Sequence, residues 1–335
     1  MSRLWDKGAP LDQRILKFTA GDDHLLDQRL VGYDVLASIA HARMLAQQGL
    51  LSSEDCEAIC IGLTELGEQH ARDEWSITLE EEDAHGALES RLIEKIGPAG
   101  GRLHLGRSRN DQVLAALRLY MKDAADTLRE GAETVALALD ALAERQGDCP
   151  LPGYTHMQPA MPSSVRLWAE GFAAELRDDA DGLDTGKRRA DLNPLGSAAG
   201  YGAPGIDLDR EATRESLGFA SNQNPVTGVQ LSRGKAEATL VFEVALLLGD
   251  LGRLAADLLL FYTSEFGFVS LPEDMTTGSS IMPQKRNPDV FELVRVPKPS
   301  QQGPLRRYLQ SRRSSIPVIN GTSKDSRRRC FESWI

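Results

Sequence analysis

The stretch LAALRLYMKDAADTLREGAETVALALDALAERQ, ending at Gln146, contains no proline and is built mostly from Ala, Leu, Glu and Arg. Its apolar residues recur at helical spacing, so it reads as one unbroken helix of about 30 to 35 residues. Two more such stretches follow, VRLWAEGFAAELRDDADGLDTGKRRADL and SRGKAEATLVFEVALLLGDLGRLAADLLLFYTSEF. Helices this long bury their apolar faces by lying side by side, so the chain reads as all-α, a long-helix bundle. Alternation with a period of two is nearly absent, and strand content is expected to be minimal. The segment GDCPLPGYTHMQPAMPSS, between the first two long helices, reads as loop.

Shorter helices precede the bundle. Apolar residues recur at helical spacing from Leu30 to Leu51, and LLSSEDCEAICIGLTELGEQH follows with Ser52-x-x-Asp55 and Ser53-x-x-Cys56, short of a full capping box. ITLEEEDAHGALESRLIEKIG reads as a third helix, stopped at Gly97-Pro98. The expected division is an N-terminal helical domain over 1–105, an incomplete central long-helix domain over 106–295, and an aberrant basic tail over 296–335. The apolar face of Ala236–Tyr262 is wider than one subunit covers, so self-association through the bundle is expected.

Charge narrows the function classes. The formal net charge is −11, but residues 296–335 carry nine Lys/Arg against two Asp/Glu, a balance of +7 that leaves −18 on residues 1–295. An acidic body argues against nucleic acid as the main partner. The most apolar run is interrupted by Glu237, Glu243, Asp250, Arg253 and Asp257, and MSRLWDKGAPLDQR has no apolar core, so neither a membrane span nor a signal peptide is expected. Four scattered cysteines suit a reducing compartment, the cytoplasm by default. Cys56 and Cys60 stand one helical turn apart without enough further ligands for zinc, and read as structural. GYGAPG lacks the spacing of a nucleotide-binding loop.

Chemistry-bearing residues gather in three polar stretches that read as loops beside the long helices: HLGRSRNDQ (104–112), GYTHMQP (153–159) and GSSIMPQKRNPD (278–289). Segments at helix ends offer free backbone N–H groups and side-chain donors, here Arg107, Arg109, Asn110, Thr155, Gln158, Lys285 and Asn287, a set suited to an anionic small molecule. Taken singly, each has a plainer reading. His156 alone reads as a hydrogen-bonded loop histidine, Gly-Ser-Ser as a turn, and Arg109 with Asp111 as a surface ion pair of little value.

Together the three segments resemble the signature regions of the aspartase/fumarase superfamily, and within it the argininosuccinate lyase branch. GSSIMPQKRNPD is similar to the superfamily's serine-bearing mobile loop. Where fumarases and aspartases typically have Pro-Gly-Lys-Val-Asn, this chain has Pro283-Gln284-Lys285-Arg286-Asn287-Pro288-Asp289, the version of that branch. HLGRSRNDQV, GYTHMQPA, LW near the start, YDVLASIAHARML, EDAHGALESRLIEKIG and SEFGFV match it too, over about residues 4–295. The resemblance implies a homotetramer around a central helical bundle, each active site drawing on three subunits. It implies reversible β-elimination of argininosuccinate to arginine and fumarate in arginine biosynthesis, with no metal and no organic cofactor. By the same resemblance Ser279 is the base, on a loop hinged at Gly278. His156 is the acid or proton relay, with Glu292 holding its imidazole, and Lys285 and Asn287 bind carboxylate and stabilise the dianionic intermediate. Ser108, Arg109, Asn110 and Thr155 grip the rest of the substrate, with Gln158 and His85 as further contacts. Two other readings stay open: a superfamily lyase acting on adenylosuccinate or a simple fumarate adduct, which PQKRNPD and GRSRND argue against, and a truncated relative that keeps the bundle without turnover.

The chain departs from the family pattern twice. Many members have a serine in Phe-x-Ala-Ser near the N-terminus, where this chain reads Phe18-Thr-Ala-Gly-Asp-Asp-His24, leaving a contact at Asp22 or Asp23 open. After Arg295 the family continues through Tyr-x-Arg-Asp-Leu-Gln, whereas here VPKPSQQGPLRRYLQSRRSS follows. Val318–Lys324 can be encoded by GTC ATC AAC GGG ACC TCC AAA. Preceded by C and read one base earlier, those bases give Arg-His-Gln-Arg-Asp-Leu-Gln, so the tail is expected to be a frame-shifted reading of the family sequence.

Overall fold

The computed structural model describes residues 12–295; the expectations for 296–335 lie outside them. Two short helices, α1 (Gln13–Ala20) and α2 (Asp23–Leu26), lead into α3 (Val31–Gln47) and α4 (Ser53–Ala71). The Ser52 hydroxyl accepts from the Asp55 N–H at 3.1 Å, satisfying one of the orphan donors that open α4. α5 (Ala84–Ile96) starts later than the sequence reading. Glu82 stands at φ 69°, outside helical backbone, and Asp83 is extended and becomes the N-cap, its Oδ1 accepting from the Gly86 N–H at 3.0 Å.

α6 (Arg109–Gln146) is a single helix of 38 residues, about 57 Å long at about 1.5 Å per residue. The next segment is not loop. β1 (Pro150–Thr155) and β2 (Gln158–Ser164) form an antiparallel hairpin with an irregularity at Gly153/Tyr154. Its prolines at 150, 152, 159 and 162 are tolerated because both strands are edges. Most of β2 is exposed, so no inside–outside alternation marked it.

α7 (Val165–Ala190) returns antiparallel to α6, as the pairs Lys187–Asp126 and Arg177–Asp140 require. β3 (Leu192–Asn193), α8 (Arg210–Ser216), β4 (Ser221–Asn222) and α9 (Thr227–Leu231) make the turnaround, with β3 parallel to β4. α10 (Lys235–Tyr262) then runs antiparallel to α7, and α11 (Asp289–Arg295) closes the described chain. Trp168 Nε1 near the start of α7 donates to Asp257 near the end of α10 at 3.0 Å, while Gly186 meets Leu240 at their opposite ends. A Cβ on Gly186 would lie 3.0 Å from Leu240 Cα, so a side chain there would have to push the two helices apart by a few tenths of an ångström. Buried Ala132, Ala136, Ala169, Ala173 and Ala180 keep α6 and α7 close as well. A continuous cluster of buried side chains runs from Leu30 to Leu254, tying α3 to α5 onto the long helices.

This arrangement gives the bundle two ends, each carrying some of the polar segments. One holds the start of α6, the loop after β3 and the start of α10. The other holds the hairpin, the start of α7 and the segment after α10, joined by ring contacts Tyr154–Phe266, Phe266–Phe268 and Phe268–Phe261. Large apolar side chains stay open on the long helices and at the second end, including Phe242, Leu246, Met157, Met161, Ile281 and Leu293. Among the described residues no helix is long and apolar enough to cross a membrane.

Candidate active site

At the first end, Ser108 is extended and caps α6, its Oγ accepting from the Asn110 N–H at 3.3 Å. The hydroxyl proton remains available to a ligand. Asp111 completes a capping box by accepting from the Ser108 N–H at 2.9 Å. It is no surface partner for Arg109: Asp111 is fully buried, and its second oxygen accepts from the N–H groups of Gly196 at 3.1 Å and Ala198 at 2.8 Å. Burial pushes its carboxyl up to about 6, against the pull of those N–H groups and of Arg107.

Arg109 pairs instead with Asp83. Its Nη2 donates to Asp83 Oδ2 at 2.7 Å and its Nε to His85 Nε2 at 2.5 Å, which places the His85 proton on Nδ1. His85 is therefore a buried brace for Arg109. Asn110 Oδ1 accepts from Arg233 Nη1 at 3.3 Å, which leaves the amide NH2 to donate. Below them lies a buried polar layer. Arg107 donates to Ser38 at 2.9 Å, Gln112 to Asp34 at 3.0 Å, and His41 Nε2 meets the Leu105 carbonyl at 2.9 Å. Burial raises Asp34, opposed by Arg107, and lowers His41 to about 3, so that imidazole is neutral. Asp23 is buried at the start of α2, with Asp22 before it.

At the second end, Thr155 and Gln158 pair across the hairpin tip, with His156 and Met157 between them. Both central residues have positive φ, 54° and 62°. Two-residue hairpins favour this left-handed backbone, but Asn-Gly normally supplies it. Holding His and Met there stores strain of the kind that clusters at functional sites. The tip is exposed, so His156 projects away from its own core.

The 278–289 segment is a loop closed on itself. Thr277 and Asn287 bridge as Thr277 N–H to Asn287 O at 3.1 Å and Asn287 N–H to Thr277 O at 2.8 Å. Thr277 Oγ1 donates to Asp289 Oδ2 at 2.5 Å. Ser279 is half-buried, and its Oγ accepts from the Met282 and Ile281 N–H groups at 3.3 and 3.4 Å, donors that favour negative charge on that oxygen. Tyr262 donates to the Arg286 carbonyl at 3.4 Å, tying the loop to the end of α10. Gly278 has ordinary φ and open space where a Cβ would sit, so this conformation does not itself require glycine. Lys285 and Glu292 are exposed.

Ser279, Lys285, Asn287 and Glu292 thus share one loop and its following helix, at the same end of the bundle as Thr155, His156 and Gln158. Ser108, Arg109 and Asn110 lie at the other end. Among the described residues no hydrogen bond or ion pair joins the three groups, His156 with Glu292 included. No group of three His, Cys, Asp or Glu side chains there is placed to hold a metal ion.

Residues 8–298 match a family model described as lyase. The chain belongs to this lyase family. Among curated relatives of this lyase, the argininosuccinate lyase of Sorangium cellulosum is 48% identical over 304 residues, covering 90% of this chain and 70% of that protein. The argininosuccinate lyase of Thermotoga neapolitana is 43% identical over 294 residues, covering 88% and 73%. Among solved structures, EDDS lyase in complex with formate superposes with a TM-score of 0.79 at 27% identity, over 98% of this chain and 65% of that one. A fumarate lyase:delta crystallin from Brucella melitensis shares the fold, with a TM-score of 0.77 at 19% identity, over 95% and 78%. The chain therefore spans about two thirds to three quarters of the length of these lyases.

Three residues at the site were not singled out as functional from the sequence: Asp83, Asp111 and Arg233. Residues 109–112, read from the sequence as loop, open α6 instead; Ser108-x-x-Asp111 has the spacing of a capping box that could have marked this start, while the burial of Asp111 depends on a loop some 85 residues away. Asp83 and Arg233 carried no local signal.

Proposed function

We propose that this lyase chain carries out the argininosuccinate lyase reaction, reversible elimination of L-arginine from argininosuccinate to leave fumarate. The observation that carries this reading is its 48% and 43% identity with two curated argininosuccinate lyases over about nine tenths of this chain, a span that takes in GRSRND, GYTHMQP and PQKRNPD. Ser279 removes a proton from the succinyl carbon next to a carboxylate, and the electron pair spreads into that carboxylate. The C–N bond then breaks, the pair re-forms as the fumarate double bond, and His156 delivers a proton to the departing guanidino nitrogen. Lys285 and Asn287 stabilise the dianion, while Ser108, Arg109, Asn110, Thr155 and Gln158 hold the remaining polar groups. The two N–H groups on Ser279 Oγ support its role, since an unassisted hydroxyl is far too weak a base at neutral pH; closing of the loop removes the water that would compete with them.

The distance along α6 supports a shared site. The start of α6 and the hairpin beyond its end are separated by the length of a 38-residue helix, about 57 Å, which is far more than one small substrate spans. Each site takes the two ends from different chains of a homotetramer, with Glu292 reaching His156 across a subunit boundary. The apolar side chains left open on α10 supply the contact. The free thiols of Cys56, Cys60 and Cys149 suit a reducing, cytoplasmic setting.

Incubating purified protein with argininosuccinate, and separately with adenylosuccinate, and following fumarate by ultraviolet absorbance tests the reading. Fumarate is expected from argininosuccinate alone; release from adenylosuccinate alone, or from neither, overturns it. Ser279→Ala is expected to abolish turnover while leaving the assembly intact.

A further inference from the structure

The buried carboxylate of Asp111 joins the start of α6 to the 196–198 turn, a segment that otherwise meets α6 one turn or more further along, through Leu195 packed with Ala115 and through Arg118 on the Leu192 carbonyl. Oδ1 holds the Ser108 N–H, and Oδ2 holds the Gly196 and Ala198 N–H groups. The second partner is rigid on its own account. Arg210 donates to the carbonyls of Leu195 at 2.7 Å and of Asn193 and Gln223 at 3.1 Å each. Asn193 is fully buried, and its amide bonds Thr213, the Arg210 carbonyl and Asn222. Two N–H groups converge on one oxygen because Gly196 and Ala198 both take positive φ, 82° and 47°. Such concave turns bind anions, and here the anion belongs to the protein.

A capping box alone needs only an exposed acidic side chain at the third helical position. Here that position is occupied by a carboxylate taken out of water, with Arg107 and Arg210 as the charged groups acting on it, at a desolvation cost that helix capping does not require. We propose that Asp111 is the positioning residue of the substrate grip, fixing Ser108, Arg109 and Asn110 to the Arg210-anchored turn so that the grip is formed before substrate arrives. This rests on the proposed function, which places those three residues on the substrate. A preformed grip avoids an ordering cost on binding, so loosening it weakens affinity before it touches bond breaking.

The test is Asp111→Asn, equal in size, which replaces one acceptor oxygen by an NH2 facing an N–H. Its KM and kcat are measured on tetramer isolated by gel filtration, with hydrogen exchange followed in the 108–112 and 195–199 peptides. The expected result is a KM for argininosuccinate raised about tenfold, kcat changed much less, and faster exchange in at least one of the two peptides. A purely structural role predicts activity falling with the yield of folded tetramer at an unchanged KM, and that outcome overturns the proposal, as does unchanged exchange. If the Asn variant does not assemble, Asp111→Glu keeps the charge and displaces it by one methylene; a wild-type KM in that variant overturns the proposal. Wild-type protein without turnover of argininosuccinate refutes the proposed function instead, while the exchange measurement still reports whether Asp111 straps the two segments.

Discussion

Arg109 spends a charged donor on Asp83, across 2.7 Å, at the mouth of the first end of the bundle. The same Asp83 caps α5 through its other oxygen. Asparagine caps helices as well as aspartate does, so Asp83→Asn removes the charge and keeps the cap. With its anionic anchor gone, Arg109 is expected to wander, and the KM for argininosuccinate to rise about tenfold with the helix content unchanged, as steady-state kinetics and circular dichroism would report. An unchanged KM would remove Arg109 from the substrate's surroundings.

The hairpin tip carries strain that can be relieved without touching His156. Met157 sits at φ 62°, where a side chain costs about 1–2 kcal/mol and glycine costs little. Met157→Gly is expected to stabilise the protein by about 1 kcal/mol, less the entropy that glycine adds to the unfolded chain. Met157→Val, β-branched at the same φ, is expected to do the opposite. Thermal midpoints of the two variants falling on the same side of wild type would contradict this account.

Asp179 of α7 is buried against Asp250 of α10. Burial first, then Asp250, Asp178 and Glu175, hold its carboxyl up to about 7. Between its ordinary value near 3.8 and about 7, the folded chain keeps a proton that the unfolded chain has released. Stability from this group is therefore present at low pH and is lost as pH rises through that window. Asp179→Asn abolishes the titration, so the variant's thermal midpoint is expected to gain on wild type between pH 5 and pH 8. A difference that does not change with pH would show that Asp179 ionises normally.

Phe242 and Leu246 stand one helical turn apart on α10, 47% and 45% exposed. If this face is covered by neighbouring chains, a charge there cannot be buried without a partner. Phe242→Asp is expected to give a species smaller than a tetramer by analytical ultracentrifugation, with no turnover. A Phe242→Asp tetramer with normal activity would place the contact elsewhere.

What could be read from the chain follows its physics. The long helices were legible because thirty or more residues without proline, at helical spacing, leave no alternative. The hairpin was not, because a two-stranded ribbon rich in proline and open on most of its surface has no face to pattern. The roles proposed for the residues of the three polar segments come from their resemblance to a family, and the partners those residues take in the fold were not legible. Arg109 looked like the mate of Asp111, two positions away; in the fold Asp111 turns inward to the 196–198 turn and Arg109 outward to Asp83, 26 positions away. Adjacent positions on a helix point in different directions, and which neighbour fills the gap is decided by chain packed from elsewhere.

The length of α6 bears on inheritance as well as on geometry. On the shared site proposed above, a chain disabled at Ser279 still carries the Ser108–Asn110 grip, and a chain disabled at that grip still carries Ser279. Two defective gene copies of these opposite kinds, expressed together, should therefore rescue one another in part, whereas two copies damaged at the same end should not.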